Sequence, residues 1–142
     1  MKKRISILLL LILFVAYPVF ADYIILVNSK NKQNNLYKFE LRTIFLLDMP
    51  FWDNGDSVVP VFVDIDDKIS YQFISSYLNI NLMTFKKNVK SKLINQDFFM
   101  VSDIDNAILT VSENKGAITY MPDSFTPPIL FNKSTRQMKI IE

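Results

Sequence analysis

Val58-Val-Pro-Val-Phe-Val63, followed at once by Asp64-Ile-Asp-Asp-Lys-Ile-Ser70, is the stretch on which the fold turns. Six apolar residues, four of them valine, read as a strand, with Pro60 tolerable where one side of the strand lies near an edge. The period then changes. Ile69, Phe73 and Tyr77 recur at helical spacing, and Asp64, Asp66 and Asp67 stand before them as candidate caps. A strand that passes directly into an amphipathic helix is the unit from which α/β domains are built.

Working outward, the same alternation recurs on both sides. Tyr23-Ile-Ile-Leu-Val27 is a short apolar run of the kind buried on both faces of a sheet, and Asn28 to Asn35 follows as a polar loop. From Leu36, the spacing of Leu41, Ile44 and Phe45 predicts a helix ending before Pro50, and Asp53-Asn-Gly55-Asp reads as a turn. Beyond the central unit, Leu82, Phe85, Val89 and Leu93 mark another helix, whose outer face carries Lys86, Lys87 and Lys90. Ser102-Asp-Ile-Asp105 is a capping signature ahead of Ala107, Ile108 and Val111, and Gly116 stands where a helix would close. Ala117-Ile-Thr-Tyr-Met121 is a third strand, and Ile129 to Phe131 and Gln137 to Ile141 are candidate edge strands. The predicted order is β-α-β-α-α-α-β, one α/β domain with parallel pairings and C-terminal edge strands.

Composition removes most enzyme chemistry. Among 142 residues there is no cysteine and no histidine, which excludes disulfides, thiol nucleophiles, Cys/His zinc sites and any dyad with an imidazole base. Two glycines cannot build a glycine-rich phosphate loop. No cofactor, metal set or catalytic group is implied, and the chain reads as non-enzymatic.

The N-terminus reads as a targeting segment. Lys2, Lys3 and Arg4 precede an uncharged run from Ile5 to Tyr17; Pro18 breaks it, and Val19 and Ala21 supply small residues at −3 and −1. This is the pattern of a secretory signal cleaved after Ala21, leaving residues 22–142 as the mature domain, periplasmic or secreted. The rival reading, an uncleaved anchor, meets a run of 13 residues where about 20 are needed to span a bilayer. Removing residues 1–21 takes away three cations and no acid, leaving 13 Lys+Arg against 14 Asp+Glu and a net charge of −1. Nucleic acid is therefore not an expected partner, and no membrane span remains after cleavage.

Several features admit two readings. Asp64, Asp66 and Asp67 are spaced like part of a calcium loop but lack its turn glycine and distal glutamate; helix capping uses the same residues. The lysine face is either solvated or meets an anionic partner. Phe98-Phe99-Met100 is either an exposed patch or the start of a buried element, and Trp52 either stacks on a ligand or packs in the core.

Taken together, these landmarks resemble the small secreted relatives of phosphate ABC-transporter substrate-binding proteins, which have a type 2 periplasmic-binding-protein-like fold. The likeness rests on the opening strand Ile24-Ile-Leu-Val27 and on Leu36, Leu41, Ile44 and Phe45 of the first helix. It continues through Trp52, Asp53 and Gly55 before Pro60-Val61, and through Gly116-Ala-Ile-Thr-Tyr120, covering residues 23–121. It implies capture of a small oxyanion such as phosphate for an ABC importer.

Members that hold phosphate place hydroxyls, amides and an arginine at the helix start after the Pro-Val strand. Here Val63 to Ser70 has no arginine or glycine and carries three carboxylates. Like charges about 6 Å apart cost roughly 3 kcal/mol at an effective dielectric near 20. The lost arginine bonds are worth about 1.5–3 kcal/mol each. Thr119 replaces the last glycine of the closing motif, and Gln96-Asp-Phe-Phe stands where a proline-rich loop is expected. Asn28 and Ser29 after the first strand, and Ser70 at the helix start, are the ligand-binding positions the resemblance implies. The alternative is an envelope interaction module on the same fold that has lost its solute.

Overall fold

The structure, a computed structural model, describes residues 22–92, 96–125 and 133–142. The leader at residues 1–21 and the candidate strand Ile129 to Phe131 lie outside them. The elements in chain order are β1 (Tyr23–Asn28), β2 (Asn35–Tyr37), α1 (Lys38–Phe45), β3 (Val59–Val63), α2 (Lys68–Gln72), a π-helical turn (Phe73–Tyr77), α3 (Leu82–Lys92), β4 (Phe99–Val101), α4 (Ile104–Glu113), β5 (Ala117–Pro122), β6 (Thr135–Gln137) and β7 (Lys139–Ile141).

Five strands form one sheet in the order β4-β3-β5-β1-β6, and β2 pairs with β7 beside it. The parallel pairings implied by the strand–helix alternation hold for β3 with β4 and with β5. β1 departs from them. It lies antiparallel to both β5 and β6, so it runs against the other four strands.

Pro60 sits inside this sheet, with β4 and β5 on its strand's two sides. Val59 N–H donates to Gly116 O on the β5 side, so by alternation position 60 faces β4, whose pairing begins only at Val61. The missing proline donor therefore removes no ladder bond.

Helices cover both faces. α1, α2, the π turn and α3 bury Phe45, Phe73 and Phe85 against Phe62 and Tyr120. The Phe73 and Tyr120 rings stack with centroids 3.8 Å apart, and aromatic pairs of this kind add about 0.5–1.5 kcal/mol beyond their buried area. α4 covers the opposite face, burying Ile104, Ala107, Ile108 and Val111 against β1, β3 and β5.

Three local expectations shift. Leu36 is drawn out of the predicted helix into β2, where it pairs with Ile140 of β7. The C-terminal strand is two strands, split at Met138, whose side chain is buried and whose N–H donates to Ile25 O. Phe99 and Met100 form β4 yet remain about half exposed, because β4 is the sheet's edge. Trp52 is buried and donates its indole N–H to Gly116 O at 3.1 Å, the core alternative of its two readings.

Candidate functional site

In an open parallel sheet the place for chemistry is where strands end and helices begin. Here β3 ends at Val63 and β4 at Val101, and α2 and α4 start within a few residues of them. A small cavity of about 170 Å³ opens at this end, lined by Val63, Asp67, Ile69, Ile104 and Phe125 together with Asp103 and Asp105. Three of its lining residues are acidic and none is basic.

The helix starts at this cavity are already capped. Asp67 accepts the Ile69 N–H at 2.7 Å, and Asp103 accepts the Asn106 N–H at 2.8 Å. Asp103 also takes the Ser102 hydroxyl and the Asn106 side-chain amide, both at 3.0 Å. The Asn106 backbone bond, followed by that from Ser102, holds the Asp103 carboxyl below the usual carboxylate range. Asp64 closes a local turn by accepting the Asp66 N–H at 3.0 Å, and Asp66 pairs with Lys86 at 2.8 Å. Asp67 thus caps a helix as read from its position, and among the described residues no group of three acidic side chains is arranged to hold a metal ion.

The three predicted ligand-binding residues are not brought together. Ser70 is fully buried; its hydroxyl donates to Val63 O at 3.0 Å and meets the Tyr120 hydroxyl at 2.8 Å. Tyr23, at the start of β1, donates to Ile69 O beside Ser70, so Ser70 lies at the Tyr23 end of the sheet. Asn28 ends the same strand. Five residue steps at about 3.3 Å separate the two by roughly 16 Å. Asn28 is buried too, its amide nitrogen donating to Val111 O at 2.8 Å and Ser112 O at 3.0 Å, its oxygen accepting the Lys30 N–H at 2.9 Å. These bonds close the C-terminal end of α4, where helix carbonyls otherwise lack donors. Ser29 is exposed, and its backbone N–H donates to Ser134 O.

What sequence reasoning missed was the meeting of Asp103 with Asp67. The capping signature at Ser102 to Asp105 was visible, but its neighbourhood depends on β4 lying next to β3. The buried tyrosines were missed as well. Burial raises the Tyr120 hydroxyl, and burial with the Asp67 charge pushes Tyr23 up to about 12. Both side chains are therefore neutral hydrogen-bonding groups at ordinary pH.

The sequence matches no family model and no curated protein. The fold, however, is similar to solved structures. One is an ABC-type phosphate transport receptor from Vibrio cholerae, with a TM-score of 0.63 at 14% identity, covering 84% of this chain and 46% of the receptor. Another, from Clostridium perfringens, is assigned as a phosphate ABC transporter substrate-binding protein and contains bound phosphate; its TM-score is 0.60 at 14% identity, covering 84% of this chain and 45% of that one. The chain has the phosphate-binding-protein-like α/β fold and spans less than half the length of the proteins it matches.

Proposed function

We propose that residues 22–142 form a non-enzymatic, binding-protein-like domain of the periplasm, released by cleavage after Ala21, in which the oxyanion site of the fold is closed by the protein's own carboxylates. The observation that supports this most directly is the capping of α2 and α4 by Asp67 and Asp103. A helix N-terminus attracts an anion through free amides and partial positive charge. At this cavity those amides already serve carboxylates, and a bound phosphate would face Asp67, Asp103 and Asp105 with no basic side chain among the lining residues. Of the three predicted contact positions, Asn28 and Ser70 are engaged inside the fold, and Ser29 is exposed at the opposite end of β1 from this cavity.

The similar structures named for phosphate transport support descent of the scaffold from solute capture for an ABC importer. A domain that spans less than half of such a receptor would enclose a solute on one side only. Among the described residues no helix is long and apolar enough to cross a membrane.

The experiment is a thermal-shift series on phosphate-free residues 22–142 with orthophosphate and sulfate. A ligand at 100 times its Kd adds about 2.7 kcal/mol of stability. The expected result is no shift with either anion; a clear rise with phosphate sinks the closed-site reading. A second reading, docking to another envelope protein, is favoured by the half-exposed Phe99 and Met100 on the β4 edge. Among the described residues β4 pairs on one side only, and an edge strand with exposed apolar residues is a site for strand addition. Crosslinking from position 100 in the intact envelope checks it, and an absence of any adduct with a second protein removes it.

A further inference from the structure

The joint between α2 and α3 is irregular in three ways at one place. The helix widens into a π turn at Phe73–Tyr77, closed by the Leu78 N–H on Phe73 O at 2.8 Å. Asn79 then adopts a left-handed backbone with φ of 53°. Ile80 N–H returns to Ile74 O at 2.9 Å, and Asn81 caps α3 by accepting the Met83 and Thr84 N–H groups. Isolated π turns are frequent at functional sites, and asparagine is among the few non-glycine residues that take the left-handed backbone readily.

Against this joint lies a cavity of about 380 Å³, more than twice the volume of the carboxylate-lined one and within the range of small-molecule sites. Tyr71, Ser75, Asn79, Ile80, Asn81 and Met83 line it, and no lining residue is charged. Tyr71 presents a half-exposed ring, and Met83 is largely exposed. Asn79 and Asn81 are exposed like Tyr71, so the Tyr71 hydroxyl, the Asn79 side-chain amide and the Asn81 amide nitrogen face solvent. The cavity is therefore an open, neutral depression, with an aromatic residue and solvent-facing amide and hydroxyl groups around it.

We propose that this cavity is a ligand site for a neutral saccharide. A sugar ring offers a C–H face that packs on an aromatic ring and a rim of hydroxyls that both donate to and accept from amides. A charged ligand would meet no counter-charge here. A wholly apolar one would bury the amides without partners, at a penalty. The site is independent of the carboxylate end of the sheet, so its success or failure leaves the closed-site reading untouched.

The test is a titration of isotope-labelled residues 22–142 with maltotriose and, separately, with triacetylchitotriose, followed by nuclear magnetic resonance. One of the two trisaccharides is expected to shift the side-chain amide signals of Asn79 and Asn81 and the ring signals of Tyr71. Asn79→Gly removes the amide while glycine adopts the left-handed backbone freely, so it should weaken binding about tenfold without lowering Tm. Tyr71→Ala, at a half-exposed position, should weaken binding at least as much. No shift with either sugar overturns the proposal. So does a shift that survives in both variants, or one centred on other residues.

Discussion

Ser70 and Tyr120, fifty positions apart in sequence, share a buried hydrogen bond of 2.8 Å between their hydroxyl oxygens. The Ser70 proton is directed to Val63 O at 3.0 Å, which leaves Tyr120 to donate to Ser70; its other acceptor, Val63 O, is at 3.5 Å. The pair ties the first turn of α2 to the middle of the sheet.

Removing either partner is expected to act unequally. Ser70→Ala leaves the Tyr120 hydroxyl buried with only its long contact, a loss of about 1–3 kcal/mol. Tyr120→Phe keeps the ring stack on Phe73 and leaves the Ser70 bond to Val63 intact, so its cost should be about 0.5–1.5 kcal/mol. Urea unfolding of both variants checks the order. Equal losses would mean that the hydroxyl pair is not arranged in this way.

The two glycines should both resist replacement, but unequally and for different reasons. At Gly116 an added Cβ would stand 2.0 Å from the Ser57 carbonyl oxygen, and the Trp52 indole is bonded to the Gly116 carbonyl. Gly116→Ala must push two backbone segments apart and is expected to cost about 3 kcal/mol or more. Gly55 has open space around it but a φ of 84°, so Gly55→Ala carries only backbone strain of about 1–2 kcal/mol, and Gly55→Asn less than that. Comparing the three by urea midpoint tests the ranking; a Gly116→Ala as mild as Gly55→Ala contradicts it.

Alkaline stability should track Tyr23. Its pKa is pushed from 10 up to about 12 in the folded chain, so the native state holds that proton more tightly than the unfolded state. The contribution is complete below pH 10 and disappears as pH rises toward 12. The buried Tyr120, raised in the same direction, adds to this fall. Tm is expected to drop over that window, and the drop should be smaller in Tyr23→Phe. Melts across the alkaline range read both, and an unchanged slope in the variant refutes the assignment.

At the acid end the sign reverses. Asp103 is held below its ordinary 3.8 by the Asn106 and Ser102 bonds, so its stabilisation is present above that value and is lost as pH falls beneath it. Asp103→Asn keeps an acceptor for the cap but has nothing to titrate, so the variant's Tm should fall less steeply in acid. Identical acid profiles for the two proteins would show that the cap does not titrate with folding.

The sequence by itself marked the three principal strands, the helical segments, the candidate caps Asp64, Asp66 and Asp67 and the capping stretch Ser102 to Asp105, because each is written in short-range terms. Apolar period and an oxygen-bearing side chain before a helix act within a turn or two of themselves. By contrast, Gly116, read as the left-handed residue closing a helix, has no positive φ and is required by the close approach of the Ser57 carbonyl. The sequence also foretold the acidity of the helix start after β3, since Asp64, Asp66 and Asp67 are adjacent there. Only the tertiary structure decided that β1 runs against its neighbours, which puts Asn28 at the far end of the sheet from Ser70. The same strand order brings Asp103 to Asp67, and β7 draws Leu36 out of its helix. Those outcomes rest on pairings between segments tens of residues apart, where the ladder partner and its direction are chosen by the packing of the whole core rather than by any one stretch of chain.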